Sequence, residues 1–338
     1  MQTARNNLDF ITFFLSCGIV LLSCIRPGIA QVAGQNDPPL TLRTVVPGTP
    51  TDRPARNSIF LCGAGQLGPN FTASGTPWVY GTTIVNAQIP FVEGAVKWNS
   101  TFEITLTASH RHFKGNGLPT HVTGIYPVQE GTEAYKYYSQ APAAGYSSAA
   151  AIPIAPYDLD ITVPRNPIAA LPNCIPFLNT LVIGIATQTH VPWHVNLAYG
   201  TGWVDPVAAL PPDQCWGHPY SKQYHYHGYS WKCFPDQGKE GEHSPLFGYA
   251  IDGFGIYGPR GENGKYLTNQ DLDECHGIVD RIYWDGEWRL MYHYVLNDEF
   301  PYGPGCFRGI PETLLPQFKH DPSAHGAPVG HVMASPSR

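Results

Sequence analysis

Six cysteines beyond residue 60, at positions 62, 174, 215, 233, 275 and 306, constrain this chain more than any other feature. An even set of cysteines spread over a chain of this length reads as a disulfide framework, and such frameworks persist in oxidising compartments. Two further cysteines, Cys17 and Cys24, lie in an apolar stretch near the N-terminus. That stretch, Phe10 to Ile25, is interrupted only by Thr12, Ser16, Gly18 and Ser23. Arg5 precedes it, and Gly28-Ile29-Ala30 follows before Gln31. Charge, apolar run and small residues in that order predict a signal peptide over residues 1–30, cleaved near Gln31. The competing reading is a membrane anchor, but a spanning helix needs about 20 apolar residues and this run is shorter. No later segment is apolar enough to span a bilayer. The expectation is therefore a secreted, extracellular protein. The sequons Asn70-Phe71-Thr72 and Asn99-Ser100-Thr101 fit that route as glycosylation sites.

Composition narrows the fold class. Charged residues are only 14%, while Gly (35), Pro (33) and Tyr (19) are plentiful, which favours strands, turns and ordered loops over helices. The predicted class is mainly β, with a few short helices and long ordered loops. A net charge of −6 provides no basic surface for nucleic acid or anionic lipid. Residues 31–57 are Pro-rich and aperiodic and are expected to form a flexible leader. Residues 311–338 read as a similar tail, leaving a β-rich body over 58–310.

Within that body, residues 95–99 and 102–107 alternate in the period of strands, and residues 180–186 form an apolar run expected to be a buried strand. Short helices are expected near Glu133–Tyr138 and Asn269–Glu274, the second with Asn269 as its cap. Asp285-Gly286 between two aromatic-rich runs predicts a hairpin over Ile282–Tyr294, because a type I′ turn needs φ > 0 at both central residues. Its register sets Trp284 opposite Glu287, and, extended, Ile278 opposite His293 and His276 opposite Val295. His276 and His293 would then be diagonal neighbours on one face.

Fourteen histidines carry the strongest functional signal. In Tyr224-His225-Tyr226-His227, strand alternation points both histidines one way and both tyrosines the other. Two imidazoles on one face can share a metal ion with a third ligand from elsewhere. His218 lies upstream in Cys215-Trp216-Gly217-His218. Cys275-His276-Gly277 and Tyr292-His293-Tyr294 echo that arrangement further on, with Gly and His in the other order. The metal-site candidates are His225, His227, His218, His276 and His293, and imidazole ligands suit Zn or Cu. The competing reading is packing, with the tyrosines as a core face. His110 and His112 read as an exposed turn, His243 as a loop residue, and the proline between His190 and His194 argues against a helical pair. Asp252 reads as a buried polar anchor, a turn former or a carboxylate with chemistry. The sequence contains no Gly-x-Ser-x-Gly elbow, no His-Glu-x-x-His helix, no P-loop and no dinucleotide fingerprint.

These residues resemble the YHYH-domain family of secreted proteins. The resemblance rests on Tyr224-His225-Tyr226-His227, Asp213-Gln214-Cys215-Trp216-Gly217-His218-Pro219, His243-Ser244-Pro245-Leu246 to Tyr257-Gly258-Pro259, Asp271 to Gly277, and Glu299 to Gly309. His121 to Pro127 belongs with them. It covers roughly residues 95–310 and implies a fold unit and secretion, with no assigned reaction. It also implies a second Tyr-His-Tyr-His near the end, where Val295 here takes the last place. The two cysteine-bracketed Tyr-His-Tyr stretches predict local bridges, Cys215–Cys233 and Cys275–Cys306, leaving Cys62 for Cys174. Three functions fit the same residues. The first is an extracellular binding or matrix protein holding a metal through the histidines, with an extracellular partner. The second is a secreted metal-dependent enzyme, hydrolytic or oxidative, and the third a purely structural module.

Overall fold

The computed structural model describes residues 77–80, 83–140, 152–170, 174, 175, 177, 181–195 and 210–312, with short strand segments at 42–44, 50–51, 59–60, 197–198 and 202–203. The signal-peptide segment, Cys62, Asn70 and residues 313–338 lie outside the described residues. Among the described residues the fold is mainly β, with eleven principal strands in two sheets and one α-helix of eight residues.

The first sheet has three antiparallel strands in chain order: β1 (Phe102–Leu106), β2 (His110–Gly115) and β3 (Leu159–Pro164). Alternation on β2 buries Arg111 and Phe113, and Phe113 packs with Leu159, Val163 and Ile185. The buried Arg111 guanidinium lies 4.6 Å from the Tyr249 ring and 4.5 Å from the Trp284 ring, and it pairs with Asp285 at 2.5 Å. Helix α1 (Glu133–Gln140) starts where the Thr132 hydroxyl accepts the Tyr135 N–H, the usual office of an N-terminal cap.

The second sheet has eight strands: β4 (Val182–Ala186), β5 (Val191–His194), β6 (Gly217–Tyr220), β7 (Gln223–Tyr226), β8 (Leu246–Ala250), β9 (Gly255–Tyr257), β10 (Gly277–Trp284) and β11 (Glu287–Val295). Their order is β6-β7-β5-β4-β8-β9-β11-β10. This order is a duplication. Each half is a hairpin (β4–β5 or β8–β9) followed by a second hairpin (β6–β7 or β10–β11) whose last strand lies parallel to the end of the first. The halves meet where β4 pairs antiparallel with β8, with Ile185 opposite Tyr249. Those two residues occupy equivalent places in Gly184-Ile185-Ala186 and Gly248-Tyr249-Ala250, so a local twofold axis runs between them.

The Ile282–Tyr294 hairpin forms in the expected register, with Trp284 opposite Glu287 and Ile278 opposite His293. Asp285 and Gly286 have φ of 48° and 94°. Both local disulfides form, with Cα separations of 5.5 Å for Cys215–Cys233 and 4.6 Å for Cys275–Cys306. Cys174 is also disulfide-bonded.

Several expectations fail for physical reasons. Residues 95–99 form one isolated bridge, Val96 to Thr123, and no strand. No helix forms at Asn269–Glu274, because side chains capture the backbone groups a helix would use. Glu299 accepts the Asn269 N–H, Asp271 accepts that of Thr268, and Asp273 accepts those of Cys275 and Gly277. His110 and His112 lie on β2, not in a turn, and pair with Glu312 and Asp160. Two strand segments, Leu42–Thr44 and Pro50–Thr51, fall inside the expected leader, the first in an alternating Leu-Thr-Leu-Arg-Thr pattern. Among the described residues no helix is long and apolar enough to cross a membrane.

Candidate metal centre

An aspartate organises each half of the large sheet. Asp213 is buried and accepts the Tyr224 hydroxyl at 2.8 and 2.9 Å on its two oxygens. It also accepts the backbone N–H groups of Cys215, Gly217 and Gly124 at 2.9, 3.3 and 3.1 Å. Asp273 does the same in the second half, accepting the Tyr292 hydroxyl and the N–H groups of Cys275 and Gly277. Gly217 and Gly277 are required because a tyrosine ring lies over each: an added Cβ would stand 2.4 Å from Tyr224 and 2.2 Å from Tyr292. Trp216 and His276, just before these glycines, share a left-handed backbone with φ of 60° and 68°. The counterpart of His276 is therefore Trp216, and the counterpart of His218 is Ile278.

The knot fixes the facing of the Tyr-His-Tyr-His strand. Tyr224 and Tyr226 point into the core, and the Tyr226 hydroxyl meets His121 Nε2 at 2.5 Å. On the opposite face His218 stands directly across from His225 in the β6–β7 pair. His225 Nε2 and His227 Nε2 are 2.9 Å apart, and the ligand nitrogens of His218, His225 and His227 all lie within 4.8 Å of one another. Two nitrogens on one tetrahedral metal at 2.0–2.1 Å would be about 3.3 Å apart, so the three rings are close to a ligating arrangement. His225 Nδ1 faces the Gln223 carbonyl at 3.1 Å, which places its proton there and turns the Nε2 lone pair into the cluster. Burial drives the ring pKa down, to about 4 for His218 and well below the usual value for His225 and His227. Neutral imidazole is the form that ligates a metal.

His194 joins the site from β5 and is a residue the sequence reading missed. It stacks on His225 at a centroid distance of 3.6 Å, and its Nε2 meets Gln223 Oε1 at 3.1 Å. It therefore orients His225. Only the parallel pairing of β5 with β7 brings it there, and no local pattern around Val191-Pro192-Trp193 signals that pairing. A small cleft opens beside His194 and His227, walled by Trp193, Leu296, Pro301 and Tyr302.

Two predicted members lie elsewhere. His276 is buried with Nδ1 on the Val295 carbonyl and Nε2 on Asn269 Oδ1, both at 2.7 Å. Its left-handed backbone takes it off the ladder, which begins at Gly277, so the diagonal contact with His293 does not form. His293 lies in the second half, beside His243 and Tyr257. A second cluster, His121 with Cys215 and Cys233, has both sulfurs tied in a disulfide and offers no thiolate. Asp252 is a buried anchor, accepting from the Tyr294 hydroxyl and from the N–H groups of Gly309 and Phe254. Asn99 is exposed.

A disulfide-braced β-sheet presenting histidines on one face of a Tyr-His-Tyr-His strand defines the class of domain. The family model described as "YHYH protein" matches residues 160–265, the stretch that carries the Tyr-His-Tyr-His strand. No curated protein and no solved structure matches the chain.

Proposed function

We propose that this is a secreted protein that binds a zinc or copper ion through His218, His225 and His227. The observation that carries the reading is the convergence of three neutral imidazoles, His225 buried and the others partly so, whose ligand nitrogens lie within 4.8 Å of one another. Imidazole sets suit Zn and Cu. The two local disulfides and the signal-like N-terminus support an oxidising, extracellular setting. In this reading the metal stiffens a module that binds an extracellular partner or matrix. The cleft beside His194 and His227 favours a second reading, a metal-dependent enzyme, since three protein ligands leave a position for water or substrate.

The test is metal analysis of protein purified from medium without an affinity tag and loaded with zinc or copper. His225→Ala/His227→Ala should lower bound metal by about one equivalent per chain relative to the parent, with thermal melts confirming that it folds. Unchanged stoichiometry in the folded double variant would reject the site, and a hydrogen-bonded histidine core would replace it.

A further inference from the structure

The second half of the sheet holds a polar cluster that nothing above explains. His293 occupies the place of His225: each faces the residue immediately after Gly277 or Gly217 on its partner strand, Ile278 and His218 respectively. The other positions of the first cage are lost in this half. Ile278 replaces His218, Val295 replaces His227, and Tyr257 stands where His194 stands. Yet His293 is wholly buried, with the Met291 carbonyl beside one ring nitrogen and no partner for the other. A polar atom left dry in a core is destabilising, so a group so placed calls for a partner.

That partner is not a side chain already spoken for. Tyr257 lies 5.0 Å from the His293 ring, but its hydroxyl donates to the Tyr283 carbonyl. His243, from the loop before β8, lies 5.1 Å from His293 between ring centroids. Its Nδ1 is 2.7 Å from the Ser244 carbonyl, so Nδ1 carries the proton and Nε2 presents a lone pair. Nε2 is buried, has no hydrogen-bond partner, and points toward Asp280 Oδ2 at 3.9 Å. The two side chains are only 6% and 10% exposed. Asp280 is fixed by accepting the N–H groups of Glu262 and Arg281. A lone pair thus faces a buried carboxylate, and the His293 ring alongside has a nitrogen with no partner. Such an arrangement is repulsive without a positive charge among the three groups.

We propose that His243, His293 and Asp280 form a second divalent transition-metal site, independent of the first. Two imidazoles on one tetrahedral ion place their ring centroids about 5 Å apart. The His243–His293 separation of 5.1 Å matches that, as do 4.6, 4.7 and 5.0 Å among the rings of the first site. Metal binding requires His243 Nε2 to close on Asp280 from 3.9 Å to the tetrahedral spacing of about 3.3 Å and the His293 ring to turn toward the pair, since the three ligand atoms do not all lie within 4.8 Å of one another as they stand. Two nitrogens and one oxygen suit Zn(II) or Cu(II). A proton on His243 would answer the carboxylate but would leave the second nitrogen of His293 without a partner, and a shared metal ion answers both.

The experiment is zinc titration of the full chain, metal-stripped and untagged, followed by calorimetry and by bound-metal analysis. The variants are His243→Gln, Asp280→Asn and His225→Ala/His227→Ala. Asp280→Asn keeps an oxygen for the Glu262 N–H while removing the charge. The parent should bind one zinc more than His243→Gln and one more than Asp280→Asn, whether or not the first site is intact. His225→Ala/His227→Ala should keep the zinc that His243→Gln then removes. Loss of that increment on His243→Gln while the His225/His227 pair proves silent would uphold this site and reject the first. Equal zinc in the parent, His243→Gln and Asp280→Asn, all folded by thermal melt, would overturn the second site. A nitrogen-NMR spectrum showing His243 protonated at Nε2 in zinc-saturated protein would overturn it too, since a ligating Nε2 cannot hold a proton.

Discussion

Asp213→Ala is expected to lower the unfolding free energy by about 3–5 kcal/mol, read as a fall in the urea midpoint at constant slope. The carboxylate receives one hydroxyl and three backbone N–H groups inside the core. Each donor left without an acceptor costs about 1–3 kcal/mol. At least the Tyr224 hydroxyl and the Cys215 and Gly124 amides would have no ready substitute. Asp213→Asn should cost less, because one oxygen remains. Asp273→Ala should behave like Asp213→Ala, since the second half repeats the knot. A midpoint shift worth less than about 1 kcal/mol for Asp213→Ala would show that the knot does not hold the strands as described.

The second large effect is acid lability of the metal-free protein. Burial lowers the ring pKa to about 4 for His121 and His218 and to about 3 for His194 and His293. Such a ring takes up a proton near pH 6.5 when unfolded but not when folded. Stability is therefore full above about pH 6.5 and falls as pH drops toward 3–4. Asp213 and Asp252 act the other way, because burial raises each to about 6. Their folded forms hold protons that the unfolded chain releases, so they add stability as pH falls from 6 toward 4. The histidines are more numerous and displaced further, so their sign wins. Urea unfolding in chelator should show a clearly lower midpoint at about pH 5 than at about pH 7.5. Equal midpoints, or a higher one at the acidic value, would contradict the burial of these rings as neutral groups.

Local physics made part of this molecule readable in advance. Asp285-Gly286 dictates its own turn, and the turn dictates the register of eight pairs. Alternation alone separates His225 from Tyr224 and Tyr226. The cysteines pair across the hairpins that they bracket. The rest depends on strands far apart in sequence. His194 joins the site because β5 runs parallel to β7, an arrangement that leaves no mark in Val191-Pro192-Trp193. His276 leaves it because one residue adopts a left-handed backbone, which breaks the ladder register just where the extrapolation needed it. His243 reads as a loop residue until β8–β11 bring it onto His293. The duplication explains why Gly and His seemed to change order between copies: His276 answers to Trp216.

The central claim is that the Tyr-His-Tyr-His face is a metal centre, and locating the ion tests it most directly. Crystals of the untagged protein, loaded with zinc and measured on both sides of the zinc absorption edge, should give an anomalous peak at about 2.0–2.1 Å from a ring nitrogen of each of His218, His225 and His227. Full-occupancy zinc elsewhere, with those three rings hydrogen-bonded only to protein or water, would contradict the account.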